Sequence, residues 1–237
     1  MTAESLVLVP GLMCDAAVWR AQIAVLSDGR DIQVAEHALS DSLDEMAQRI
    51  LDQAPPRFAL AGHSMGGRVA LEVVARAPGR VSRLALLDTG YEPLAPGEPG
   101  DREKAGRYRL LEIAQRDGML SMARDWARGM VHPARLTDAT LMDAIHSMIV
   151  RAGLAQFEAQ IRALLARPDR TQLLATLRMP TLVLCGRDDN WSPLSRHEVM
   201  AQLIKASHLV GVPECGHMST MERPQAIANA MQDWLES

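Results

Sequence analysis

Short apolar runs alternate with longer amphipathic segments over the first hundred residues of the chain. Apolar runs at residues 6–9, 58–61 and 84–87 predict buried strands, and a weaker run at 32–35 predicts another. Apolar side chains at helical spacing predict helices at 40–53, with Ser40 and Ser42 as capping candidates, and from about 65 to 75. Strands that are apolar throughout must be covered on both faces. The β-α-β-α-β order therefore predicts an α/β fold with a mostly parallel sheet and helices on both faces.

The alternation stops near residue 91, where a proline-rich and glycine-rich loop begins. From about 102 to 174 the pattern is helical only, with breaks near Gly118, His132-Pro133 and Gly153. Strand patterns resume at 181–185 and 208–212, and a last helix opens at Pro224. We predict one α/β core, residues 1–90 and 176–237, interrupted by a helical lid at 91–175. A separate helical domain is the rival, but this segment is too short to bury much surface alone.

Composition and charge exclude several classes of partner. The chain has 237 residues and a net charge of −4, and its basic residues are scattered rather than clustered. We therefore expect no nucleic-acid partner and no binding to anionic membranes. The N-terminus has no basic stretch before its short apolar run, and no run approaches the ~18 apolar residues of a membrane span. We expect a cytoplasmic protein without a signal peptide, either a monomer or a small homo-oligomer.

The cysteines predict neither disulfides nor a metal site. Cys14, Cys185 and Cys215 are odd in number and show no C-x-x-C spacing, so we expect three reduced thiols that pack as small apolar groups. Cys215 lies two residues before His217, so alkylation there is expected to block activity.

The sequence Gly62-His63-Ser64-Met65-Gly66 lies between a predicted strand and a predicted helix. A G-x-S-x-G motif in this context is typical of a sharp turn that exposes a nucleophilic serine. The helix N-terminus behind Ser64 also offers free N–H groups to a developing oxyanion. A glycine-rich turn with an incidental serine, or a dinucleotide-binding turn, fits this context less well.

Serine needs a base to become a nucleophile at neutral pH. His217 follows the last predicted strand, and the carboxyl ends of parallel strands meet at one edge of the sheet. We therefore expect His217 to be the general base. Its second nitrogen needs a carboxylate partner, for which Asp88, Asp188 and Asp189 all lie at strand ends on that edge.

An oxyanion hole requires two N–H donors. By position, the backbone N–H groups of Met65 and Leu12 are the candidates, because Met65 follows the serine and Leu12 lies in the turn after the first strand.

With these motifs in this order, the sequence resembles the α/β-hydrolase superfamily over essentially its whole length. The resemblance implies that Asp189 is the acid, because residues 186–193 match the family's G-x-x-D-x-x-x-P segment at that position. The helical insertion is similar to the lid of small bacterial carboxylesterases and enol-lactonases. Pro10 departs from the family, where many members have histidine before the oxyanion glycine. The resemblance implies no metal and no organic cofactor.

The expected reaction is hydrolysis of a small, largely apolar ester through an acyl-enzyme. Ser64 argues against dehalogenases and epoxide hydrolases, which resemble this fold but carry aspartate at the elbow. Lactone hydrolysis and carbon–carbon bond hydrolysis of the aromatic-degradation type stay open, as does a ligand receptor that has lost turnover. We expect the substrate pocket to include four side chains: Met13, Met130, Trp191 and Met218. Arginines of the lid such as Arg107 and Arg109 could meet a substrate carboxylate or simply face solvent.

Overall fold

The computed structural model describes residues 4–237, and one six-stranded sheet forms its centre. The strands are β1 (Leu6–Val9), β2 (Ile32–Val34), β3 (Phe58–His63), β4 (Val81–Leu87), β5 (Thr181–Gly186) and β6 (Ser207–Val212). Their order is β2-β1-β3-β4-β5-β6, and all neighbours are parallel. Every strand predicted from the sequence is confirmed. Residues 1–3, with which the predicted core and the N-terminal segment begin, lie outside the described residues.

Burial explains why some strand patterns are stronger than others. All residues of β1, β3 and β5 are buried, which requires the continuous apolar runs seen in the sequence. The edge strands β2 and β6 are only partly buried. An edge strand needs fewer apolar residues, which is why the pattern at 32–35 is weak.

The helices, like the strands, follow in chain order. They are α1 (Arg20–Leu26), α2 (Leu43–Gln53), α3 (Met65–Arg76), α4 (Glu98–Asp117), α5 (Met119–Ala127), α6 (Ala139–Leu165), α7 (Thr171–Leu174), α8 (Leu194–Leu203), α9 (Ser219–Glu222) and α10 (Pro224–Glu236). The chain leaves β1 toward one edge of the sheet, to β2, and leaves β3 toward the other edge, to β4. Because crossovers between parallel strands are right-handed, the helices of these two connections lie on opposite faces of the sheet. Helix α1 packs with α10, and α2 packs with α3.

The second helix illustrates how the sequence pattern sets an element. The Ser42 side chain caps α2 by accepting a hydrogen bond from the Glu45 N–H at 3.1 Å. The apolar positions of the predicted helix are all buried: Leu43, Met46, Ala47, Ile50 and Leu51. Ser40, the other capping candidate, lies before the helix begins.

The segment between β4 and β5 is helical, as predicted. Gly118 separates α4 from α5, and a short 3₁₀ helix, Pro133–Arg135, follows His132. Gly153 breaks α6 with φ 76° and ψ 167°, a conformation that L side chains rarely adopt. The two ends of the segment meet, because the Arg170 N–H donates to the Tyr91 carbonyl at 2.9 Å. Treating 91–175 as a separate lid stays a prediction.

In residues 4–237 no helix has the combination of length and apolar character needed to cross a membrane.

Candidate functional site

The site lies at the carboxyl edge of the sheet, beside the point where the strand order reverses. Strands β1 and β3 are parallel neighbours, but the chain leaves β1 toward one edge of the sheet and β3 toward the other edge. The two connections diverge, which opens a crevice above the carboxyl ends of these strands. Ser64 stands between β3 and α3, and the turn that begins at Pro10 follows β1.

Ser64 occupies a strained backbone conformation, with φ 55° and ψ −118°. Its N–H donates to the Leu87 carbonyl at 2.8 Å, and the Thr89 hydroxyl donates to the Ser64 carbonyl at 2.6 Å. A side chain at Gly66 would overlap the Val9 backbone, so the turn closes only with glycine there. These contacts fix the half-buried hydroxyl at the edge of the sheet.

The structure brings Ser64, His217 and Asp189 together. His217 Nε2 lies 2.8 Å from Ser64 Oγ, and His217 Nδ1 lies 2.8 Å from Asp189 Oδ2. The other carboxylate oxygen of Asp189 accepts the N–H groups of Trp191 and Ser192 at 2.8 and 2.9 Å. The imidazole is therefore held between an acceptor and a hydroxyl, an arrangement that can move a proton from the serine.

Asp189 and His217 each stabilise the charged form of the other. Burial alone would raise the pKa of Asp189, but His217 and the two backbone N–H groups outweigh it, so the pKa is lowered. Burial also opposes charge on His217, yet the neighbouring Asp189 raises its pKa above 6.5. A buried carboxylate thus faces an imidazole whose protonated form it stabilises.

The other two candidate acids do not contact His217. Asp188 is partly exposed, and its carboxylate lies 3.9 Å from His132 Nε2. Asp88 is fully buried, where it accepts the Gly186 N–H at 3.0 Å and contacts the Ser219 hydroxyl. Burial, followed by the nearby charge of Asp189, raises the pKa of Asp88 well above its usual range.

Three groups to which the sequence assigned no such role hold the His217 loop. The Met130 carbonyl, from the helical segment, accepts the N–H groups of His217 and Met218 at 2.7 and 3.1 Å. The buried Glu222 carboxylate accepts the Gly216 and Met218 N–H groups at 3.0 and 3.2 Å. His63 Nε2 donates to the His217 carbonyl at 2.9 Å. The sequence pointed to Met130 only as a pocket side chain and to His63 only by its position beside the serine.

Leu12 and Met65, the predicted oxyanion donors, lie on either side of Ser64. A Cβ placed on Gly11 would be 3.1 Å from the Ser64 Cβ, so the turn after β1 lies directly against the serine. Within the described chain, no protein acceptor takes the N–H of Leu12 or of Met65. Both residues line the cavity above the serine, where a ligand oxygen could accept hydrogen bonds from both N–H groups.

A cavity of about 570 Å³ opens over Ser64 and His217. Met130, Met218 and Trp191 line it, and Trp126 stacks on Trp191 with 5.6 Å between ring centroids. Met13 does not belong to this cavity: its side chain is fully buried, and its N–H donates to Gln160 Oε1 at 2.8 Å. The structure thus places the Met13 side chain in the core and not in the wall of this cavity.

The cysteines are free and buried. Cys215 has no exposed surface despite its position next to the histidine loop, which argues against the expected block by alkylation. Among residues 4–237, no cluster of three or more His, Cys, Asp or Glu side chains is arranged to hold a metal ion.

The chain is similar to known hydrolases in sequence and in fold. The sequence model of the Alpha/beta hydrolase family matches residues 6–230. The pimeloyl-[acyl-carrier protein] methyl ester esterase of Nitrosomonas europaea is 26% identical over 93% of this chain and 91% of that protein. The 2-hydroxy-6-oxononadienedioate/2-hydroxy-6-oxononatrienedioate hydrolase 1 of Pseudomonas putida is 25% identical over 94% of this chain and 76% of that protein. A thermophilic esterase from Thermogutta terrifontis superposes with a TM-score of 0.87 and 29% identity, covering 99% of this chain and 90% of the esterase.

Proposed function

Because the chain belongs to the Alpha/beta hydrolase family, we propose that it is a serine esterase that cleaves small carboxylic esters through an acyl-enzyme on Ser64. One observation carries the proposal. The Ser64 hydroxyl lies 2.8 Å from an imidazole whose other nitrogen is bound to a buried carboxylate. A serine hydroxyl becomes a nucleophile when such a base removes its proton.

The first half of the reaction forms the acyl-enzyme. Ser64 Oγ attacks the ester carbonyl while His217 Nε2 takes its proton, and Asp189 stabilises the resulting imidazolium. The N–H groups of Leu12 and Met65 bind the oxyanion of the tetrahedral intermediate. Loss of one such donor costs about 10²–10³ in rate. The first half ends when the ester C–O bond breaks and His217 donates its proton to the leaving alcohol.

The second half releases the acid. His217 takes a proton from water, whose oxygen attacks the acyl carbonyl of the acyl-enzyme. Collapse of this intermediate returns the proton to Ser64 and frees the carboxylic acid.

Lactone and carbon–carbon bond hydrolysis are the alternatives on the same site. The similarity to the Pseudomonas putida hydrolase supports keeping carbon–carbon cleavage in the comparison. A panel of p-nitrophenyl esters of rising chain length, together with lactones and a vinylogous diketone, separates the three reactions. The proposal predicts that the esters are hydrolysed with a higher kcat/KM than the lactones or the diketone.

Covalent labelling tests the nucleophile directly. A fluorophosphonate should label the wild type at one serine and leave Ser64→Ala unlabelled. Ser121→Ala, which changes an exposed serine on α5, is the matched control and should label like the wild type. Wild-type protein that shows no labelling dependent on Ser64 would favour a ligand receptor instead.

A further inference from the structure

Arginine side chains crowd the wall of the cavity next to Ser64. We propose that Arg68 binds a carboxylate of the substrate, so that the preferred substrates are esters that carry a free carboxylate a few bonds from the cleaved carbonyl. This inference rests on the proposed ester hydrolysis at Ser64 and specifies its substrate class.

Arg68 is in the right place to meet a substrate held by Ser64. It lies four residues after the serine on α3, so one helical turn, a rise of about 6 Å, separates them along the same face. Its side chain lines the same cavity as the serine, His217 and Trp191. A group three or four bonds from the ester carbonyl spans a distance of this order.

Positive charge exceeds negative charge in this part of the wall. Glu103 pairs with both Arg107 and Arg167, and Glu92 pairs with Arg196 at 3.3 Å. Arg68 is the fourth guanidinium of the group, and among the described residues it forms no salt bridge. Four cations thus share two carboxylates, which leaves an excess of positive charge beside the serine.

The hydrogen bonds of Arg68 leave one edge of its guanidinium open. Its Nη1 donates to the Glu92 carbonyl at 2.7 Å, while Nε and Nη2 have no protein acceptor within residues 4–237. These two nitrogens form the fork that binds both oxygens of a carboxylate. Nη2 also lies against Gly90, where a Cβ would be only 2.6 Å away, so a glycine makes room for the guanidinium.

Arg68 is in an environment that favours an anionic ligand. Burial, and then the charges of Arg167 and Arg196, lower the pKa of Arg68 to about 9. A bound carboxylate would offset both effects, because it supplies opposite charge and two acceptors. An arginine that only faced solvent would show neither the burial nor the crowding by like charge.

The test compares two esters that differ only in the charge of the distal group: monoethyl glutarate and its uncharged amide. We expect wild-type kcat/KM to be about 10- to 100-fold higher for the acid, the range for a hydrogen bond to a charged group. Arg68→Gln should lose this preference, and Arg68→Lys should retain part of it. Arg116→Gln, which alters an exposed arginine paired with Asp117, is the control and should keep the full preference.

Equal wild-type rates on the two esters, or a preference that survives in Arg68→Gln, would overturn the inference and leave the esterase proposal intact. If neither ester is hydrolysed, the p-nitrophenyl ester panel decides on the esterase proposal, and calorimetric titration of Ser64→Ala still tests the carboxylate site. The acid should then bind at least tenfold more tightly than the amide, and adding Arg68→Gln should remove the difference. Equal affinities would refute the site. Thermal unfolding monitored by circular dichroism confirms that each variant is folded.

Discussion

The pKa values of two buried carboxyl groups at the same sheet edge, Asp88 and Asp189, shift in opposite directions. Burial raises the pKa of Asp88 and would raise that of Asp189. Asp189, however, receives two backbone N–H groups and an imidazole, whereas Asp88 lies beside the negative charge of Asp189 itself. Asp189 is therefore the charged partner of His217, whereas the raised pKa of Asp88 favours its neutral acid form.

This difference predicts the outcome of three matched substitutions. Asp189→Asn should lower kcat by about 10⁴, because an amide neither fixes the tautomer of His217 nor stabilises its charge. Asp188→Asn, one residue away and partly exposed, should change kcat little. Steady-state kinetics on a p-nitrophenyl ester measures both.

Asp88→Asn completes the series. Because the raised pKa of Asp88 favours the neutral acid, an amide of the same shape should mimic it, so we expect a far smaller loss of kcat than for Asp189→Asn. A loss as large as that of Asp189→Asn would show that Asp88 carries the charge.

The pH profile should report His217. Its pKa is raised above 6.5 because Asp189 outweighs the effect of burial, and the base must be neutral to accept the serine proton. We expect kcat/KM to fall about tenfold per pH unit on the acid side, with an apparent pKa above 6.5. His63 contributes nothing in this range, because burial and then the nearby His217 lower its pKa to about 4. An acid limb with an apparent pKa below 6.5 would contradict the assignment.

Among the helices, an ion pair with a buried carboxylate ties the end of the inserted segment to the core. Arg170, just before α7, donates through Nε to Glu72 Oε1 of α3 at 2.8 Å and forms a second bond through Nη2. Glu72 is almost fully buried, while Arg170 is partly exposed. Breaking this pair leaves a buried carboxylate without its partner.

Arg170→Gln should therefore lower the free energy of unfolding by about 2–3 kcal/mol, below the range for a fully buried pair because the arginine is partly solvated. Denaturant unfolding followed by circular dichroism measures the change. Arg116→Gln, at an exposed pair within the same helical segment, should leave the midpoint unchanged. An equally small effect of Arg170→Gln would mean that other contacts hold the segment to α3.

At the scale of the whole molecule, folding hides all three thiols. Burial raises the pKa of Cys14 to about 12 and also raises the pKa values of Cys185 and Cys215, so their reactive thiolates are scarce. We expect a thiol reagent such as dithionitrobenzoate to react with none of them in the native protein and with all three in denaturant. Loss of activity on alkylation of the native protein would show that the histidine loop opens.

The chain's local patterns predict its strands and helices and point to Ser64 as the candidate nucleophile. These patterns are local, because burial periodicity and a strand-to-helix turn involve residues close together in the chain. The parallel sheet followed from those patterns, since strands that are apolar throughout need cover on both faces. His217 followed in turn, because parallel strands end at one edge.

Packing between distant segments sets which groups share the site. Asp88, Asp188 and Asp189 all follow strands that end at the same edge, and distances across the sheet select the one that contacts His217. The sequence equally gave no sign that Met13 points into the core or that Arg68 lacks a carboxylate partner. Contacts between residues far apart in the chain are set by packing, so no local pattern records them.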